Sequence, residues 1–200
     1  MSPAQTWLRA PRGNADAEAS ILASADALLD QAEALLVRED IADALFVSPS
    51  RVVPGSSVGQ HLRHVHEHYR ILAEALQAAP ASGGPVALDY DNRGASRHTA
   101  FETDRRAALA AFRALRARLH AAVGGRGDMF ARPVQLAAVT PEHNLFGSTV
   151  GRELWFCTLH AIHHFALLKA ILIEMNVEVG PQFGVAPSTL KRVGVATSHA

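Results

Sequence analysis

The chain has 200 residues, 48% of them hydrophobic and 19% charged, with a formal net charge of zero. That is enough apolar material for one core of ordinary size. It also excludes the global basic field that draws proteins to nucleic acid or anionic membranes. Cys157 is the single cysteine, so no intramolecular disulfide can form, and its presence fits a reducing compartment. The first residues lack the apolar h-region of a signal peptide, and no uninterrupted apolar run reaches the ~20 residues that span a bilayer. The expectation is a cytoplasmic chain with no membrane and no nucleic-acid partner.

Residues 1–15 read as an N-terminal extension, 16–176 as one helical domain and 177–200 as an irregular tail. The first helix is expected over about 16–37. There Ile21, Leu22, Ala25, Leu28, Leu29, Ala32, Leu35 and Leu36 recur three and four apart and form an apolar stripe. The loop 48–55, with two prolines and a glycine, separates it from the second helix. Ser56 or Ser57 caps that helix, which runs to about residue 79.

Residues 80–101 form a long connection containing LDYDNRGASRHT, and loops of that length are often functional. The third helix follows to about residue 123, with Thr99 and Glu102 spaced as a capping box. It carries Arg105, Arg106, Arg113 and Arg116 on roughly 100° of surface. No aromatic stacking positions lie among them, so a solvated face is favoured over a nucleic-acid surface. Residues 133–140 are compatible with a strand or an extended loop. Ser148 or Thr149 then caps the fourth helix, which continues to about residue 175 and is apolar nearly all round. Four long helices and one long crossover loop between the second and third give an all-α four-helix bundle.

Seven of the eleven histidines fall between His61 and His68 or between His160 and His164. His160 and His164 are four residues apart, so they stack on one face of the fourth helix, and two such imidazoles can reach one metal ion. Cys157 and Glu153 extend the same polar stripe toward the N-terminus. Burying that stripe unpaired would cost on the order of 2–7 kcal/mol per polar group. On the second helix His61, His64 and His68 share roughly 60° of arc, whereas His66 points away. The spacing leaves open which of the three faces the pair on the fourth helix.

The segments SVGQHLRHVHEHYRIL and LHAIHHFALL resemble the second and last core helices of the DinB/YfiT-like family. The resemblance covers about residues 20–175. It implies a four-helix bundle, often homodimeric, of metalloenzymes that hold zinc, nickel or a similar divalent ion through a histidine triad. Matched residue by residue, the implied ligands are His64, His160 and His164. Many members follow the last histidine with Arg-Gly-Gln, where this chain has Phe165, Ala166 and Leu167.

Three histidines leave an open coordination position, the pattern of a catalytic site. An ion there could activate water, or it could bind a low-molecular-weight thiol as thiolate. The family includes thiol-dependent S-transferases. The expected function is therefore a metal-dependent enzyme acting on a small-molecule substrate by hydrolysis or thiol transfer. The competing readings are a non-catalytic metal- or ligand-binding bundle, and a dimeric interaction protein with vestigial histidines. Glu153, His61 and His68 are the candidates for a catalytic base or for a residue supporting the ligands. Tyr90, Asp91, Arg93 and Arg97, in the long connection, are the candidates for substrate binding, set against an ordinary turn of Asp91 and Asn92 followed by Gly94.

Overall fold

The computed structural model describes residues 15–81, 83–92, 99–123, 129–139 and 142–192. In chain order the elements are α1 (Ala15–Leu36), α2 (Asp43–Val47), α3 (Val58–Ala78), β1 (Val86–Asp89), α4 (Thr99–Thr103), α5 (Arg105–Val123), β2 (Pro133–Val139), β3 (His143–Thr149), α6 (Val150–Glu174) and α7 (Pro187–Arg192). The chain is mostly helical. Helix α1 packs on α5 and α6, and α3 packs on the same two helices. The residues enclosed between them include Leu28 and Leu29 from α1, Leu62, Tyr69 and Leu72 from α3, Phe112, Leu115 and Leu119 from α5, and Leu154, Phe165 and Leu168 from α6. Each large apolar side chain buried in this way contributes about 1.5–3 kcal/mol.

Helix α3 starts at a complete capping box. The Ser57 hydroxyl accepts from the Gln60 N–H, and the Gln60 side chain accepts from the Ser57 N–H. Thr149 caps α6 by accepting from the Arg152 N–H. The free N–H groups of Val150 and Gly151 donate to the carbonyls of Arg132 and Phe130, so the first turn of α6 is fully paired. By length and composition α6 could cross a membrane. Here its Leu154, Cys157, Ala161, Phe165, Leu168, Ile171 and Leu172 are buried against the other helices.

The structure corrects the all-α expectation, because the chain also carries a three-stranded sheet of order β1-β2-β3. Strand β1 pairs parallel with β2, Val86 opposite Val134, and β2 pairs antiparallel with β3, Pro133 opposite Thr149. Val86 and Leu88 face the core and Ala87 faces out, a period-two pattern too short to stand out in sequence. The 80–101 connection therefore contains a strand, and the 177–200 tail contains α7. The third expected helix is also divided. Asp104 interrupts it, and its Oδ1 accepts from the N–H groups of Arg106 and Ala107 at the start of α5. The Thr99 side chain, half of the expected capping box, lies outside the described residues.

The loop before α3 is clamped to the far end of α6. Glu174 accepts from the Ser50 hydroxyl at 2.7 Å and from the N–H groups of Arg51 and Val52 at 3.0 and 3.3 Å. The Ser50 hydroxyl and these amides hold the Glu174 carboxyl at about 2, below its ordinary 4.5.

The start of α3 is fixed by contact with α4. Arg63 of α3 pairs with Glu102 of α4, and Gly59 lies directly beneath the Glu102 carbonyl and the Phe46 ring. A methyl group at position 59 would drive into that carbonyl. Gly59→Ala is expected to destabilise the protein by about 1–3 kcal/mol, read from urea unfolding. A change within ~0.3 kcal/mol would show that the α3–α4 junction yields.

Candidate metal centre

The facing rows of α3 and α6 run in opposite directions, His61 beside His164 and His68 beside His160. The ring centroids of His64 lie 5.0 Å from His160 and 4.6 Å from His164, and those of His160 and His164 are 4.6 Å apart. One nitrogen from each of the three can be chosen so that all lie within 4.8 Å of one another. Imidazole nitrogens bind zinc at about 2.0–2.1 Å, so ligands around one ion sit roughly 3–4 Å apart. The three side chains therefore fit a single divalent ion with small adjustments. His64 and His160 are half-buried. Helical spacing explains the pair on α6, and the crossing of α3 brings His64 to it.

The other two histidines of the α3 row are also at the site. His61 Nδ1 lies 2.8 Å from His164 Nδ1, and His61 Nε2 lies 3.1 Å from Ser56 Oγ. His68 donates its Nδ1–H to the His64 carbonyl at 3.0 Å, and its ring centroid is 4.1 Å from that of His160. The remaining histidines have other settings. His66 packs between Phe101 and Phe112 on the opposite face, as its angle predicts. His163 is exposed with its ring 5.1 Å from His164. His120 pairs with Asp26, and His143 is exposed on β3. His98 and His199 lie outside the described residues.

Glu153 and Cys157 continue the stripe into the core. Glu153 is fully buried. Its Oε1 accepts from the Ser148 hydroxyl at 2.5 Å and from the Arg152 guanidinium at 3.0 Å. The Tyr90 hydroxyl lies 3.5 Å from Cys157 Sγ, and the Tyr90 ring stacks on His68 at 5.2 Å. Burial first, then Cys157 and Glu153, raises the Tyr90 hydroxyl far above its ordinary range, so it stays protonated. Burial pushes the Cys157 thiol up to about 12, which removes it as a nucleophile at neutral pH.

In the long connection the Asp89 carboxylate accepts from the N–H groups of Asp91 and Asn92, and Asp91 Oδ2 accepts from the Val139 N–H. Asp91 thus ties this segment to β2. Arg93 and Arg97 lie outside the described residues. On α5, Arg106 and Arg113 are exposed as a solvated face requires, while Arg105 and Arg116 are half-buried. Arg105 reaches Asp43 and the Arg38 carbonyl, and Arg113 and Arg116 reach Glu33, so they tie α5 to α1 and its flanking segment. Pattern reasoning missed the contact of Ser56 with His61 and that of the Ser56 hydroxyl with the Val53 carbonyl. Ser56 was legible only as a possible helix cap, and Val53 carried no signal.

Two expectations follow. Native protein should leave Cys157 unmodified by iodoacetamide at about pH 8 over a period in which urea-unfolded chain reacts fully; equal rates would contradict its burial. Burial, then the neighbouring His64, His160, His61 and His163, lowers His164 from 6.5 to about 2. Across that window the unfolded chain binds a proton that the folded chain does not, so stability rises with pH from about 2 to 6.5. Metal-free protein should lose unfolding free energy as pH falls below 6.5, and His164→Gln should flatten the slope. Parallel urea-unfolding profiles for the two proteins would overturn the assignment.

Among curated proteins, a 48-residue stretch is 54% identical to FK506-binding protein 5 of Rhizopus delemar, covering 24% of this chain and 12% of that protein. The match spans far less than two thirds of that relative. No solved structure matches the chain. A family model described as the DinB superfamily matches residues 6–168, a span that includes α3 and the three histidines that converge on α6. The chain belongs to the DinB superfamily.

Proposed function

We propose that the chain is a divalent-metal-dependent enzyme that acts on a small molecule by hydrolysis or thiol transfer, with His64, His160 and His164 holding the ion. The observation that carries this reading is the donor set itself: three imidazoles from two helices within 4.8 Å, with no fourth ligand joining that group among the described residues. Three protein ligands leave a position for substrate. Zinc and nickel both suit imidazole. A bound ion would supply Lewis acidity and lower the pKa of a coordinated water or thiol.

The chain's own groups divide the remaining work. The His64 carbonyl can only accept, so His68 carries its proton on Nδ1 and, as a neutral ring, has Nε2 as its proton-accepting atom. That makes His68 the general base. Glu153, fixed by Ser148 and Arg152, and Tyr90, stacked on His68, hold the wall behind it. Helices α1, α3, α5 and α6 form the four-helix bundle of the DinB type in this reading. The chain works as a cytoplasmic homodimer. Sedimentation of untagged protein tests the dimer, and a monomer at micromolar concentration would remove it.

A second reading has an ion that only ties α3 to α6, since the ligands come from both helices. Protein purified without an affinity tag is expected to carry about one metal ion per chain. His64→Ala and His160→Ala should lose it, with affinity falling by more than the ~10–100-fold typical of removing an outer-shell partner. Metal-free wild-type protein that also fails to bind added zinc or nickel would sink both readings. Chelation that lowers thermal stability without any turnover, in panels of ester and amide hydrolysis and of thiols with electrophiles, favours the structural ion. If there is turnover, His68→Gln should retain metal while kcat drops about 10²–10⁴-fold.

A further inference from the structure

The hydrogen-bond chain behind His164 has a direction. It ends on the Val53 carbonyl, which can only accept. The Ser56 hydroxyl donates to it at 2.8 Å. Having given its one hydrogen there, Ser56 Oγ can only accept from His61 Nε2, 3.1 Å away. His61 therefore carries hydrogen on Nε2. A charged, buried imidazole would need a counter-ion, but the two nitrogens of His61 face Ser56 and His164 instead. The ring is thus neutral and its Nδ1 is a lone pair. His164 Nδ1, 2.8 Å from that lone pair, must supply the hydrogen between them. A neutral His164 then has its own lone pair on Nε2.

We infer that His61, aligned by Ser56 and the Val53 carbonyl, is a positioning residue that fixes His164 as the Nδ1–H tautomer and so commits Nε2 to the metal. The inference rests on the proposed metal site for its purpose, but its geometry holds in the metal-free chain. The terminal carbonyl is itself held in place. The Val53 N–H donates to Ser50 Oγ, the Ser56 N–H to the Val53 carbonyl, and the Ser50 hydroxyl to Glu174 of α6. The loop that sets the tautomer is thereby anchored on the helix that carries His164. His68, by contrast, is bonded back to the His64 carbonyl of its own helix.

The test is nitrogen-15 NMR of the imidazoles in metal-free wild-type protein at neutral pH. His164 should show a pyrrole-type Nδ1 and a pyridine-type Nε2. Ser56→Ala, which touches neither ligand nor metal, should yield mixed tautomers at His164 and weaken zinc binding about 10-fold in chelator competition. His61→Phe should weaken it further, by up to about 100-fold. His61→Asn, whose side-chain oxygen can stand where Nδ1 stood, should restore most of the affinity lost in His61→Phe. Circular dichroism checks that each variant is folded, and the wild-type spectrum stands whether or not a variant folds. A pyridine-type Nδ1 on His164 in the wild type would overturn the inference even if metal binds. The predicted tautomer in a protein that binds no metal would leave it standing and remove the proposed function instead.

Discussion

The architecture depends on one contact, the packing of α3 against α6 with a row of imidazoles on each facing side. Two apolar helices would pack there without difficulty. A polar stripe between them requires that every nitrogen find a partner, because leaving one unsatisfied costs on the order of 1–3 kcal/mol. His61 and His68 meet that requirement in opposite ways. His61 bonds outward, to Ser56 and His164, and His68 bonds back to the backbone of its own helix. His64, His160 and His164 are left converging on one point. The contact therefore sorts five chemically identical side chains into different roles, by the carbonyl or hydroxyl at the end of each chain of bonds.

Neutrality is the second consequence. Crowded imidazoles cannot all be charged, and burial together with the neighbouring rings keeps His164 neutral over the ordinary pH range. His61 is lowered as well, first by burial and then by His163. Neutral imidazole is the form that ligates metal. The geometry that costs the metal-free fold stability at acid pH is thus the geometry that keeps ligands available at neutral pH.

The i,i+4 pair His160 and His164 was legible in the sequence because helical periodicity alone puts both on one face. The partner on α3 was not. His61, His64 and His68 occupy the same arc, and only the crossing of the two helices decides which one reaches the pair. Family resemblance pointed to His64, and the structure places it there. Ser56 was visible only as a possible cap, since Ser57 does the capping and the role of Ser56 depends on the loop held by Glu174. The sheet was hidden for a different reason. Strand β1 has four residues and pairs with a strand whose partner positions lie beyond α5, so neither length nor local pattern announces it. The arginines of α5 read as a solvated face because their acidic partners lie on α1 and at the start of α2, distant in sequence.

The small sheet matters to the site more than its size suggests. Strand β3 runs straight into α6, so the pairing of β2 with β3 fixes where α6 begins, and with it Glu153 and Cys157. Strand β1 ends immediately before Tyr90, and Asp91 ties the following turn to Val139 of β2. The sheet thus delivers Tyr90 onto His68 from one side while setting the register of α6 from the other. The result is a wall of buried Cys157 and Glu153 and part-buried Tyr90, protonated at the phenol and at the thiol. On the other side His64 and His160 keep part of their surface in solvent, and His163 is exposed. The same three imidazoles in an isolated helix pair would lack that wall.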